Sequence, residues 1–213
     1  MTLDPIPELT LRRLPQYYGL LKSLQAGGQE MVSASQLAEH LDIHPTQIRK
    51  DLAATGSQGK PKVGHRIADL MAFIERFLHW DNPSEAFLVG AGGMGAAVLE
   101  AGVLERAGIK VVAVFDANPL RSGKKLAGIP ILPLEKFADL VRRMHVAIAV
   151  LATPDAEAQD AATRISGSGI QALWNLTSTP VTVPSGVLVQ HADPFASLSV
   201  LVRKLADRRA ARG

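Results

Sequence analysis

The sequence predicts a mixed α/β protein in two parts, a helical N-terminal part followed by a domain with a parallel sheet. Three observations carry this. Residues 87–116 run from an apolar segment through Gly90-Ala91-Gly92-Gly93-Met94-Gly95 into a helical pattern, then a second apolar segment closed by Asp116. From Ala86 onward, apolar runs alternate with amphipathic stretches, as in a parallel sheet covered on both faces. Before that point the chain shows only short helical patterns punctuated by glycine and proline.

Taken in order, residues 15–26 have a helical apolar rhythm, with Pro15 suited to a first turn and Gly27-Gly28 as the stop. Ser33 is placed to cap a second helix through about Leu41, where Leu37 and Leu41 share a face. Asp42-Ile43-His44 is a short turn, and Pro45 opens a third helix that ends at Gly56. Two short helices joined by such a turn, the second carrying charge, form a helix-turn-helix pattern. Residues 56–67, rich in Gly and Lys, suit the β-ribbon wing of a winged helix, and residues 68–80 read as one more amphipathic helix. Residues 81–84 read as a linker. Strands are expected at 86–90, 110–115, 130–132, 146–152 and 170–175, with a further one at 187–190. Helices are expected at 93–107, 134–143, 155–166 and 195–208. The domains so predicted are 1–84, 85–192 and a C-terminal segment, 193–213.

The chain has 213 residues, 47% of them hydrophobic, and no cysteine. Disulfides, Cys-bound zinc, iron–sulfur clusters and thiol nucleophiles are therefore excluded. No apolar run approaches the ~18–20 residues of a membrane span, and the opening MTLDPIPELTLRRL lacks the pattern of a signal peptide. A cytoplasmic setting is expected. The net charge is only +3, but it is unevenly placed. Residues 43–66 carry five basic side chains against Asp51, and residues 203–213 carry five against Asp207. A basic stripe suits a phosphate-backbone partner, although basic residues near a helix C-terminus also simply solvate it.

Gly90, Gly92 and Gly95 match a dinucleotide fingerprint: one glycine for the tight turn, one for close approach to a pyrophosphate, one for helix–strand packing. Backbone N–H groups from Ala91, Gly93 and Met94 complete the loop, and Asp116 stands where an acid grips ribose hydroxyls and repels a 2′-phosphate. Arg121, Lys124 and Lys125 nearby oppose that repulsion. In the third helix Thr46, Gln47, Arg49 and Lys50 fall in the first two turns, with Ile48 and Leu52 facing the core. Arg can read guanine, Gln can read adenine, and Lys can hold phosphate. Lys60 and Lys62 would serve the wing. An ordinary solvated helix is the competing reading. No catalytic set stands out, since His65, His79, His145 and His191 lack acid or nucleophile partners in the pattern. The 129 residues after position 84 leave little room for a substrate domain. A double-stranded DNA partner and a bound dinucleotide without catalytic groups describe a sensor; a small NAD-dependent oxidoreductase is the alternative.

With these residues assembled, the chain resembles the Rex family of bacterial redox-sensing repressors. Arg13-Leu14-Pro15-Gln16-Tyr17 resembles the family's RLPxY, and Gln47 to Leu52 its recognition-helix signature, followed by Gly56, Gly59, Val63 and Gly64 at wing positions. Val89 to Gly92, Phe115-Asp116 and Pro119 resemble its nucleotide fingerprint. Thr153-Pro154, Asn175 and Asp193 stand at further family positions. The resemblance implies a winged-helix domain, a Rossmann domain binding NAD(H), and a homodimer whose last helix swaps onto the partner. It implies a repressor released from palindromic operators as NADH rises. Thr153, Pro154 and Asn175 are implied at the cofactor, and an Arg13–Asp193 pair is expected as an interdomain switch. Three positions depart from the family: Ala101 replaces a tyrosine, Pro194 a large residue, and His65 the tyrosine of GVGY. A weaker NADH response is the expectation. A Rex-like protein holding its nucleotide only structurally, or holding coenzyme A, is a further alternative.

Overall fold

The computed structural model describes residues 6–60, 63–192 and 194–210, residues 194–197 by backbone alone. Two compact units divide between Asn82 and Pro83, inside the expected linker. That linker is shorter than anticipated because Ser84 already pairs with Ile109 in the sheet.

The first unit opens with α1 (Glu8–Ala26), followed by β1 (Met31–Val32), α2 (Ala34–Leu41), α3 (Pro45–Ala54), β2 (His65–Arg66) and α4 (Ile67–Phe77). Contrary to the sequence expectation, Pro15 lies inside α1 rather than in its first turn. The buried stripe Thr10, Leu14, Tyr17 and Leu21 is continuous across it, and packing of that face outweighs one missing backbone hydrogen bond. Ser33 caps α2 as expected, in a capping box: its Oγ accepts from the Gln36 N–H at 3.1 Å, and its own N–H donates to Gln36 Oε1 at 2.9 Å. Asp42 turns left-handed (φ 54°) and His44 caps α3, its Nδ1 accepting from the Thr46 N–H. Helices α1 to α4 share one core, built on Leu14, Tyr17, Leu37, Ile48, Leu52 and Leu70. The wing is shorter than a full ribbon: β1 pairs antiparallel with β2, and Lys60 bridges Gly64.

The second unit contains β3 (Ser84–Val89), α5 (Gly93–Glu100), α6 (Val103–Arg106), β4 (Ile109–Asp116), β5 (Lys125–Leu126), β6 (Ile129–Pro133), α7 (Phe137–Met144), β7 (Ile148–Leu151), α8 (Ala158–Ser166), β8 (Ala172–Asn175), β9 (Leu188–His191) and α9 (Pro194–Ala210). Strand order is β5-β6-β4-β3-β7-β8-β9, parallel except for β5. Apart from that edge hairpin this is the doubly wound order, reversing direction at β3. One face buries Phe87, Phe115 and Phe137, whose rings pack edge to face; the other buries Leu88, Leu99, Val114 and Val150. The helix expected over 93–107 is two, because Gly102 turns left-handed between them (φ 60°). His145 is exposed at the C-cap of α7 with φ 55°. Among the described residues, none between Leu198 and Ala210 enters either core.

Candidate nucleotide cleft and nucleic-acid interface

The loop from β3 to α5 is shaped by its glycines. Gly90 has φ 109°, and a Cβ there would overlap the Ala152 carbonyl oxygen. A Cβ at Gly95 would overlap the carbonyl oxygen of Gly90. The two therefore let the loop turn beside β7 and let α5 pack close on β3, as the fingerprint predicts. Beside this loop, at the carboxyl ends of the strands where the strand order reverses, lies a cleft of about 500 Å³. It brings together Gly90, Gly92, Asp116, Thr153 and Pro154.

Asp116 ends β4, almost fully buried. Its Oδ2 accepts the Ala91 N–H at 2.8 Å and Arg121 Nη1 at 2.9 Å; its Oδ1 accepts the Asn118 N–H at 2.8 Å. Burial pushes the carboxyl up, but these donors outweigh it and hold it below its ordinary value. Asp116 is thus an ionised acceptor that also ties the glycine loop to β4. Arg121 was visible in the sequence only as a nearby cation; the structure places it directly on Asp116 and in the cleft wall. Arg164, Glu157 and Asp160 also line the cleft from the α8 side, and no motif marks them.

These residues fit a dinucleotide. Thr153 Oγ is buried without a hydrogen-bond partner among the described residues, the cradle at Gly92 and Gly93 meets no backbone within 4 Å, and the α5 N-terminus presents N–H groups beside the Asp116 carboxylate. Gly93, Met94 and Gly95 form the first turn of α5, with Met94 half exposed. Asn175 is different. It is fully buried and its amide is used internally: Nδ2 donates to Thr179 O at 2.8 Å and meets His191 Nδ1 at 3.0 Å, while Oδ1 accepts from the N–H and Oγ of Thr177. It shapes the turn after β8 and is not part of the cleft wall.

In the first unit, α3 exposes Thr46, Arg49 and Lys50 and buries Ile48 and Leu52. Among the described residues, Arg49, Lys50 and Lys60 form no ion pair. Lys62 lies outside the described residues. Gln47 is half-buried, and its Nε2 donates to Asp51 Oδ1 at 2.9 Å.

A family model described as a putative DNA-binding protein N-terminus matches residues 5–53, and one described as a CoA binding domain matches 81–179. The redox-sensing transcriptional repressor Rex of Treponema denticola is 36% identical over 192 residues, covering 90% of this chain and 91% of its own. That of Bacteroides fragilis is 37% identical over 200 residues, covering 94% and 91%. The chain belongs to the Rex family. A crystal structure of RSP, a Rex-family repressor, superposes with TM-score 0.85 at 26% identity, over 99% of this chain and 98% of that one. RSP in complex with β-NADH superposes at 0.87, also at 26% identity, over 99% of each chain. RSP has also been crystallised with β-NAD⁺ and operator DNA.

Of the expected Arg13–Asp193 pair, the described residues include only Arg13. Arg13 is committed inside its own unit, donating to Asp51 from Nε at 2.6 Å and Nη2 at 2.9 Å; Asp193 lies outside the described residues. The carboxylate that holds the guanidinium in this chain is buried and lies 38 residues along the chain. Burial pushes the Asp51 carboxyl up, and the bonds from Arg13, Tyr17, Gln47 and Thr10 more than reverse this, holding it at about 2. Because the folded value lies below the unfolded one, the stability Asp51 contributes is complete above the ordinary carboxylate range and is lost as pH falls towards 2. The first unit should therefore lose about 2 kcal/mol from this group on acidification through that window. An Asp51→Asn chain should lack that part of the acid dependence in thermal melts taken at successive pH values.

Proposed function

We propose that the chain is a homodimeric transcriptional repressor whose α3 reads an operator and whose cleft binds NAD(H), with NADH binding lowering operator affinity. The observation that carries this is the coexistence in one Rex-family chain of an exposed basic helix face at Arg49 and Lys50 and a glycine cradle beside an ionised Asp116. The reading requires two-fold pairing, because one small winged helix reads only a half-site and palindromic operators need two. NADH moves DNA affinity only as far as it prefers one dimer arrangement over another. Ala101 and Pro194 lack the groups that the family places there, so the coupling should sit at the weak end of the usual 1–3 kcal/mol, about 5–10-fold in affinity.

The test is binding of an operator duplex, selected by the protein from a random pool, with and without NADH and NAD⁺. Weakening by NADH is expected. Arg49→Ala should cost about 1–3 kcal/mol and relax specificity at one base pair, whereas Lys50→Ala should weaken all sequences alike and reduce the salt slope by about one. Saturating NADH without effect on affinity would reject the sensor. The match of the second unit to a CoA binding domain favours one second reading, in which coenzyme A occupies the cleft. Displacement of NADH by equimolar coenzyme A would establish it.

A further inference from the structure

Asp51 is almost fully buried, yet it collects side chains from two helices. From α1, Thr10 Oγ donates at 2.9 Å, Tyr17 Oη at 2.7 Å, and Arg13 through two nitrogens. From α3 itself, Gln47 donates one turn earlier, at 2.9 Å. Arg49 and Lys50, the two residues before this carboxylate, are both exposed.

We infer that Asp51 is the positioning residue of the DNA-reading helix: it fixes the rotation of α3 about its own axis, and so the direction in which Arg49 and Lys50 project. This rests on the DNA-binding reading above. The apolar anchors Ile48 and Leu52 hold α3 against the core, but hydrophobic burial is non-directional. Hydrogen bonds are directional, tolerating only a few tenths of an ångström. A rotation of about 20° would carry an atom at the helix rim, about 5–6 Å from the axis, through about 2 Å. That exceeds the tolerance of a bidentate contact to a base edge while leaving a point-charge contact to phosphate nearly intact. The hub therefore governs sequence discrimination rather than overall affinity. It also changes the role of Gln47. One amide N–H is spent on Asp51, so the carbonyl Oε1 and a single N–H remain for DNA, held at a fixed angle.

Thr10 and Tyr17 provide the test, because both are buried and touch α3 through Asp51. The probes are the duplex selected by the wild-type protein and a scrambled duplex of equal length. In the Thr10→Val/Tyr17→Phe variant, affinity for scrambled DNA and its salt slope should be unchanged. The ratio of selected to scrambled affinity should fall by ~3–10-fold, the scale of a partly lost base contact. A second variant, Thr10→Val/Arg13→Met/Tyr17→Phe/Asp51→Leu, replaces the ion pair together with the buried hydroxyls that donate to it by apolar groups of similar volume, so that no buried donor is orphaned, an exchange that buried pairs often tolerate. It should melt near the wild-type temperature and lose discrimination by ~10-fold or more. A discrimination ratio equal to wild type in a folded variant of either kind would overturn the proposal and leave Asp51 a stabilising residue only. If the wild-type protein itself selects no sequence, the DNA-binding reading falls with it.

Discussion

A chain carrying Leu198→Glu, Leu201→Glu and Leu205→Glu is expected to be monomeric and to lose operator affinity by about 100-fold or more, the scale at which paired binding exceeds single binding. Leu198, Leu201, Val202 and Leu205 recur at the spacing of one helix face, yet in the single chain they are 53%, 64%, 59% and 47% exposed. The alternative, that this face packs on its own sheet, is not what the structure shows: both faces of the sheet bury other side chains, and no described residue from Leu198 onward joins them. Burying such a side chain fully is worth about 1.5–3 kcal/mol, and roughly half of each is left to bury, so the stripe favours a second copy covering it. The opposite face carries Arg203, paired to Asp207 at 3.0 Å, which keeps it wet. Light scattering reads the first half of the prediction and operator titration the second. A triple variant that remains dimeric places the interface elsewhere.

The elements legible in the sequence are those whose pattern is local. The Gly90–Gly95 loop could be read because each glycine answers a backbone constraint within a few residues of itself. Ser33 as a cap and Ile48 and Leu52 as core positions were equally local. What was not legible depends on chain segments that meet only after folding. A two-residue edge strand, β5, has no periodicity to detect. Pro15 reads as a helix start until the stripe from Thr10 to Leu21 is seen to be buried as one face. The Asp51 hub joins residues 38 and 41 positions apart, so Gln47 looked like a free reader and Arg13 like a charge awaiting a distant partner. Asn175, named for the cofactor by resemblance, proves to be bound up in its own turn.

Replacing Gly95 by alanine should abolish dinucleotide binding and lower stability together, whereas replacing Gly92 should weaken binding alone. At Gly95 the added methyl would overlap the Gly90 carbonyl oxygen and approach Leu88 Cδ2 at 3.4 Å. Both neighbours are fixed, one as backbone and one as a core side chain, so α5 must lift from β3. Overpacking of this kind costs about 1–3 kcal/mol, and it carries the N–H groups at the start of α5 away from the phosphates they would hold. At Gly92 the new Cβ meets only Arg121 Nη1 at 3.8 Å, the end of a flexible side chain, and the backbone φ of −84° suits alanine. The fold should therefore tolerate it. The methyl would instead stand where the loop must approach a pyrophosphate, and NADH affinity should fall by about 10-fold or more, at least 1.4 kcal/mol. Paired NADH fluorescence titrations and thermal melts separate the two effects. A Gly92→Ala chain that binds NADH as tightly as wild type would mean that this loop does not cradle the phosphates, and the cleft beside Asp116 would have to hold its ligand in some other way.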